Sequence, residues 1–336
     1  MTSTMVGGAG IGISVNGIQI QGLLHASFAT TNCFSADTFA LTFALGSSPL
    51  SDIGFWSAAS LAYVEVSTIT SNEILITGMV DSILIDPVLA TVAIEGRDLS
   101  ASMIDSYRQQ DFVNQTASEV VSAIAGYHGL DAAVSPTTGN VGRYYGDGYT
   151  RLSLGRFSRL RSDWDLVVQL ARENGFDVFV SGTMLFFQPS TQANSETVPL
   201  ATSNVQRLRI ERALSITAST TARVQSWNSQ NMASYDSNSA AAQSTATPGD
   251  QAFLFSSSNL TSQQVTDAAG RYTSELNRLA SMLHVDMPWD LTLTPRTVVL
   301  LQGTNSVLDT TYRIDSIERH FNSKSGSTQS VRAAAT

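Results

Sequence analysis

Residues 161–189, RSDWDLVVQLARENGFDVFVSGTMLFFQP, decide how the rest of the chain is read. Ser162 and Asp165 have the S-x-x-D spacing of a capping box, in which each end satisfies a helix-start N–H that lacks a partner. Trp164, Val167, Val168 and Ala171 follow at i, i+3, i+4 and i+7, one apolar face of a helix. Gly175 supplies a left-handed stop after Asn174. Phe176, Val178 and Val180 then alternate as in a half-buried strand. Gly182 marks a turn, and Met184 to Phe187 returns. This small α/β unit lies mid-chain, with β-rich sequence on both sides.

On the N-terminal side, ISVNGIQI (13–20) predicts a hairpin around Asn16-Gly17, a pair suited to a type I′ turn. Phe39, Leu41, Phe43 and Leu45 alternate as a strand with one inward face. Residues 49–60 read as a loop. Four strands follow at 62–67, 73–77, 80–85 and 91–96, separated by Thr70-Ser71-Asn72, Gly78 and Asp86-Pro87, all turn chemistry. About six strands in ~95 residues argue for an antiparallel barrel or sandwich. LSASMIDS (99–106) reads as a short helical turn. Thr116 and Glu119 form a second capping box, with Ala117, Val120, Val121 and Ile124 on the apolar face of its helix and Gly126 or Gly129 at its end. Residues 135–156 read as an irregular loop.

On the C-terminal side, 190–195 is a polar linker, and 205–212 and 222–226 read as strands. Residues 226–258 turn to Ser, Asn, Ala, Gln and Thr, low complexity of the loop or disordered kind, or a long hairpin excursion ordered against a partner. Thr261 and Gln264 cap a long helix near 262–283. Val265, Ala269, Tyr272, Leu276, Leu279 and Leu283 give it a narrow apolar seam. Strands are predicted at 286–293, 297–302, 311–319 and 328–332. One loose internal echo links the two β-rich parts: VDSILID (80–86) and YRIDSIERH (312–320) share an aliphatic-Asp-Ser-Ile core. The fold class is therefore α+β, mainly β. The expected domains are 1–100, 101–195 (helices near 116–126 and 163–174) and 196–336.

Only 14% of the 336 residues are charged, against about a quarter in ordinary domains. Such a surface suits faces covered by other subunits. The net charge of −9 argues against tight binding to a nucleic-acid backbone, which would be repelled. A single cysteine, Cys33, excludes an intrachain disulfide framework and CxxC metal knuckles. No run approaches ~18 consecutive apolar residues, so no membrane span is expected. MTSTMVGGAGIG lacks a basic n-region and does not read as a secretory signal.

The search for chemistry returns little. His25, His128, His284 and His320 lie far apart with no zinc spacing. No G-x-S-x-G elbow and no Walker loop is present, and the glycines at 7–12 neither follow a strand nor open a helix. Asp163, Asp165, Glu173 and Asp177 cluster around the central helix, where Asp163 and Asp165 oppose its N-terminal dipole. Arg151, Arg156, Arg159 and Arg161 alternate with apolar residues, as either a strip for an acidic partner or a solvated strand face. No catalytic, cofactor or metal residue is assigned.

GRDLSASMIDS (96–106), the central 162–189 unit, DAAGRYTSELNRL (267–279) and YRIDSIERHF (312–321), in this order, resemble the late control D family of contractile-tail phages. These are baseplate hub proteins, similar to the T-even phage hub and to the hub half of type VI secretion spike proteins. The resemblance implies two tail-tube-like antiparallel β-barrels flanking the α/β insert. It implies a non-enzymatic homotrimer whose six barrels form a ring joining a hexameric tail tube to a trimeric spike around a channel. Tube and central spike proteins would be partners, with tape measure and baseplate wedge proteins as further candidates. DNA would pass through the lumen without specific binding. The location would be the virion tail baseplate, assembled in the host bacterial cytoplasm, with the spike on another chain.

On this reading the ring contacts are assigned to Phe39, Leu41, Phe43, Arg97, Asp98, Trp164, Tyr272, Leu276 and Leu279. Two rival readings stay open. A tail-tip cell-wall hydrolase would use paired carboxylates such as Asp165 and Glu173. A glycan- or receptor-binding β protein would stack sugars on Trp56, Tyr144, Tyr145 and Tyr149.

Overall fold

A computed structural model describes residues 10–32, 34–46, 53–57, 63–69, 73–146, 148–154, 161–190, 197–213, 220–228, 231–240, 251–256 and 260–336. Cys33, Arg156 and Arg159 lie outside them. The Asn16-Gly17 step has φ of 49° and 79°, the two positive angles of a type I′ turn. It joins β1 (Ile11–Val15) to β2 (Ile18–Ile20). The first β unit then comprises β3 (Leu23–Thr31), β4 (Thr38–Ala44), β5 (Tyr63–Thr68), β6 (Ile74–Asp86) and β7 (Thr91–Asp98). Their order in the sheet is β3-β4-β7-β6-β5, with β1 beyond β5. Between β4 and β5, part of the expected loop is a short helix, α1 (Ile53–Trp56), which buries Trp56 against Phe43.

The two strands expected at 73–77 and 80–85 are one. Gly78 does not turn the chain; it makes room. A Cβ at Gly78 would lie 2.8 Å from a ring carbon of Phe39, and one at Gly96 would overlap the same ring. The missing side chains leave room for the Arg97 and Met79 carbonyl oxygens of the paired strands and for the Phe39 ring.

The insert follows. Its elements are α2 (Ala101–Ile104), β8 (Gln110–Val113), α3 (Ala117–Tyr127), β9 (Asp131–Val134), β10 (Arg143–Gly146), β11 (Tyr149–Leu154), α4 (Asp163–Asn174), β12 (Phe176–Ser181) and β13 (Met184–Pro189). The two capping boxes form at Thr116–Glu119 and Ser162–Asp165, and Gly175 takes the left-handed conformation after α4. Both helices share one core, in which Val120, Ile124, Leu166, Val167, Leu170 and Phe187 are buried. Part of the expected 135–156 loop is a hairpin, β10–β11, completed by β8.

The remaining elements are β14 (Thr197–Ala201), β15 (Arg207–Arg212), β16 (Thr220–Asn228), β17 (Ala233–Ala240), β18 (Gln251–Ser256), α5 (Ser262–Arg278), β19 (Ser281–Pro288), β20 (Val298–Gln302), β21 (Thr311–Asn322) and β22 (Gly326–Ala335). The polar run read as a loop holds β17 and β18, which flank β16 in a three-stranded sheet under α5. The long helix stops at Arg278 rather than continuing to Leu283, and His284 lies in β19.

The second β unit runs β15-β19-β22-β21-β20 in the sheet. Taken in chain order, its five strands pair as the five of the first unit do. The sequence echo marks the same bend in both. The β6–β7 ladder steps past Asp81, between Val80 and Ser82, and the β21–β22 ladder steps past Asp315, between Ile314 and Ser316. An extra residue of this kind bends and twists a strand. The two units are not separate closed barrels. β3 pairs along 25–31 with residues 316–322 of β21, so both belong to one 13-stranded sheet that no described pairing closes into a ring.

Candidate assembly interface

The nine residues singled out from sequence fall in different settings. Phe39, Leu41 and Phe43 point into the first unit's own core and are at most 2% exposed. Their strand is flanked by β3 and β7, so its backbone is occupied as well. Trp164 is buried too; its indole N–H donates to the Phe34 carbonyl at 2.9 Å, tying the insert to the β3–β4 connection. Tyr272 stacks on Phe255 with centroids 3.9 Å apart. Leu276 is half-buried, while Leu279, at the end of α5, is 46% exposed.

Arg97 and Asp98 are consecutive and face opposite ways. The Arg97 guanidinium donates to both oxygens of Asp81, at 2.7 and 2.8 Å, and to Asp105 at 2.7 Å. These hydrogen bonds push its pKa further up and pull that of Asp105 down. Asp98 is buried and accepts from the Ser100 N–H at 3.1 Å and its hydroxyl at 2.5 Å. Burial raises its pKa to about 6. Burial and the nearby Asp98 charge raise Asp37 to about 7, against the Thr31 N–H, which donates to it at 2.8 Å.

A chain of buried or half-buried charges that local sequence could not reveal holds the units together. Asp177, on β12 of the insert, is ion-paired with Arg313 on β21. Arg296 sits 3.4 Å from the centroid of Phe179 and donates to Asn32 at 3.3 Å, so it touches the insert and the first unit at once. Burial lowers its pKa to about 10. Asp315, the bulge residue of β21, is paired with Arg278 of α5, as Asp81 is with Arg97. Within the insert, Asp163 does more than oppose a helix dipole. It is fully buried and is held by Arg108 at 2.7 Å and by His128 at 2.7 Å. The alternation Phe176, Val178, Val180 puts Asp177 on the opposite face of β12, and it is buried there by its distant partner.

The carboxylates considered for hydrolysis have structural partners. Asp165 accepts from the Ser162 N–H at 3.1 Å, and Glu173, raised by burial, accepts from Gln169 at 2.7 Å. Arg151 pairs with Asp111 at 2.5 Å. Trp56 is 1% exposed and so has no face to offer a sugar, whereas Tyr145 and Tyr149 form an exposed edge-to-face pair. Among the described residues no group of three or more His, Cys, Asp or Glu is placed to hold a metal, and no helix is long and apolar enough to cross a membrane.

The surface features that remain are strand edges. β15 ends the sheet, and residues 82–86 of β6 are paired on one side only among the described residues. Beside them Leu84, Val88 and Leu89 are 70%, 91% and 72% exposed. Open edges next to apolar side chains are what a protein normally covers.

A family model described as the Alg8 N-terminal domain matches residues 70–307. The chain belongs to that family. No curated protein matches it in sequence. Its fold, by contrast, is shared along nearly its whole length. A tail protein from Neisseria meningitidis MC58 superposes with a TM-score of 0.74 at 13% identity, over 98% of this chain and 97% of that one. A 43 kDa tail protein of a Shewanella oneidensis prophage gives 0.71 at 14% identity, over 96% and 97%. An E. coli protein described as a component of the type VI secretion system, with structural similarity to T4 bacteriophage tail proteins, gives 0.64 at 12%, over 96% and 76%. At these identities the likeness is one of fold: the chain has the fold of phage tail proteins.

Proposed function

We propose that this chain is the structural hub of a contractile phage baseplate, or of a phage-derived injection device, of the late control D type. The observation that carries the reading is the repeated five-strand order. One chain holds two units of the same strand order, side by side in one sheet. Three such chains would place six related units around an axis, which is what an adaptor between a sixfold tube and a threefold spike requires. The likeness in fold to tail proteins and to a type VI secretion component supports the same reading.

In this role the chain is a homotrimer with a central channel and works without catalysis. Its partners are the tail tube protein above and the central spike below, and its location is the virion tail. The ring contacts come from strand edges and from exposed positions such as Leu279, while Phe39, Leu41 and Phe43 support them from inside. The test is the mass of the purified chain, alone and co-expressed with the spike, followed by averaged images. Threefold symmetry with six β units is expected. A stable monomer in both preparations would overturn the proposal.

A further inference from the structure

Inside the chain the two β units meet at one junction, β21 against β3. At the inner junction, β21 runs antiparallel to β3, with Ile317 opposite Thr30, Glu318 opposite Ala29, Arg319 opposite Phe28 and His320 opposite Ser27. The strand equivalent to β21 in the first unit is β6. The strand equivalent to β3 in the second unit is β15. Both of these lack the corresponding neighbour among the described residues.

Burial shows what is missing. At the closed junction Ile317 is fully buried, and Ala26 and Phe28 are 3% and 2% exposed. Ile83, the counterpart of Ile317, is only partly buried against the first core. Leu208 and Ile210, the counterparts of Ala26 and Phe28, are only partly buried against the second. Among the described residues, equivalent side chains in equivalent strands thus differ by one covering strand.

Resting on the hub reading, we infer that β6 of one copy pairs antiparallel with β15 of a second copy of this chain, in the register of the inner junction. The strand equivalences follow from the ladders. Phe39 opposite Gly96 corresponds to Leu283 opposite Ala333, and Phe28 opposite Phe39 to Ile210 opposite Leu283. Carried across, they set Ile83 against Arg212, Leu84 against Glu211, Ile85 against Ile210, and Asp86 against Arg209. Ile85 and Ile210 both face inward and close the two half-open cores against each other. Asp86 meets Arg209 on the outer face, so the charges match. A shift of one residue would turn each inward residue outward. The two edges are different surfaces of one molecule, so the contact is head-to-tail and builds a ring when the rotation closes.

The test is disulfide trapping in a Cys33→Ser background. Directly opposed residues on antiparallel strands bring Cα atoms within the span a disulfide accepts, whereas diagonal neighbours at ~7–8 Å exceed it. A chain carrying Leu84→Cys with Glu211→Cys, oxidised alone and when co-expressed with the spike, is expected to lose most of its monomer band to reducible multi-chain species. Leu84→Cys with Arg209→Cys is expected to keep it. A second variant, Arg209→Glu, sets like charge against Asp86 and is expected to lower the assembled fraction at low salt, with partial recovery as salt rises.

Copies that assemble without in-register trapping and without sensitivity to Arg209→Glu would overturn this junction while leaving the hub reading intact. Copies that do not assemble in either preparation would overturn both.

Discussion

The two β units share a strand order and differ in how they fill the same space. In the first, a large ring on β4, Phe39, lies over two glycines, Gly78 and Gly96. At the equivalent places the second unit has Leu283 on β19, Tyr312 on β21 and Ala333 on β22, all fully buried. The bulk has moved two strands along the sheet, from the place of β4 to that of β6, while the packed layer is kept. The connections differ more. β3 reaches β4 through residues 32–37, whereas the stretch from β15 to β19 carries a three-stranded sheet and α5. Strand pairing tolerates both changes because it depends on backbone and on the inward pattern, not on which strand supplies the large side chain.

The largest expected effect lies in the exchanged volumes. Phe39→Ala should cost ~3–5 kcal/mol of unfolding free energy, because the glycines opposite have no side chains to refill the space. Urea denaturation measures it. Leu283→Ala should cost less, within ~2–5 kcal/mol, since Tyr312 and Ala333 remain to collapse onto the gap.

A coupling measurement sharpens the point. Gly96→Ala should destabilise by at least ~1–3 kcal/mol through overpacking, because its Cβ would overlap both the Met79 carbonyl oxygen and the Phe39 ring; a Phe39→Leu background should relieve only the part due to the ring. Equal effects in both backgrounds would show that the ring and the glycine are independent.

A smaller effect separates the units by pH. Asp37 and Asp98 hold protons up to about pH 7 and 6 when folded, whereas unfolded aspartates lose them near ~3.9. The folded state therefore binds more protons than the unfolded state between these values. Stability from this pair is fully present below the unfolded pKa and is lost as pH rises through the folded values. Asp37→Asn should flatten the decline of the urea midpoint from pH 4 to 8 and raise stability at the alkaline end. The second unit has Ala335 in place of Asp98.

The smallest effect concerns the excursion that only the second unit carries. Thr261 accepts from the Gln264 N–H at the start of α5. Thr261→Ala should cost about 1 kcal/mol, read from the thermal midpoint.

The features legible in advance were those closed within a few residues. All three capping boxes formed, as did the Asn16-Gly17 hairpin and the Gly175 stop. Strands that alternate cleanly, such as β4 with Phe39, Leu41 and Phe43, were legible too. β17, ASYDSNSA, was not, because it has few apolar residues and exists by pairing along its whole length with β16. The end of α5 was misplaced because Leu279 and Leu283 continue a helical spacing. Leu283 also begins the alternation Leu283, Val285, Met287, and pairing with β15 and β22 settles the matter in favour of strand. Of the residues proposed for assembly, Phe39, Leu41, Phe43, Asp98 and Trp164 are buried within the chain.

By itself, then, the sequence determined the local starts and stops, the β-rich flanks around an α/β centre, and the echo that proved to be one bulge occurring twice. Those depend on contacts between residues close in the chain, or on a period that any strand must show. Only the tertiary structure decided that the flanks share one sheet, that Asp177 meets Arg313, and that the β6 and β15 edges have no further neighbour among the described residues. Each of these depends on residues far apart in the chain, whose meeting no local pattern encodes.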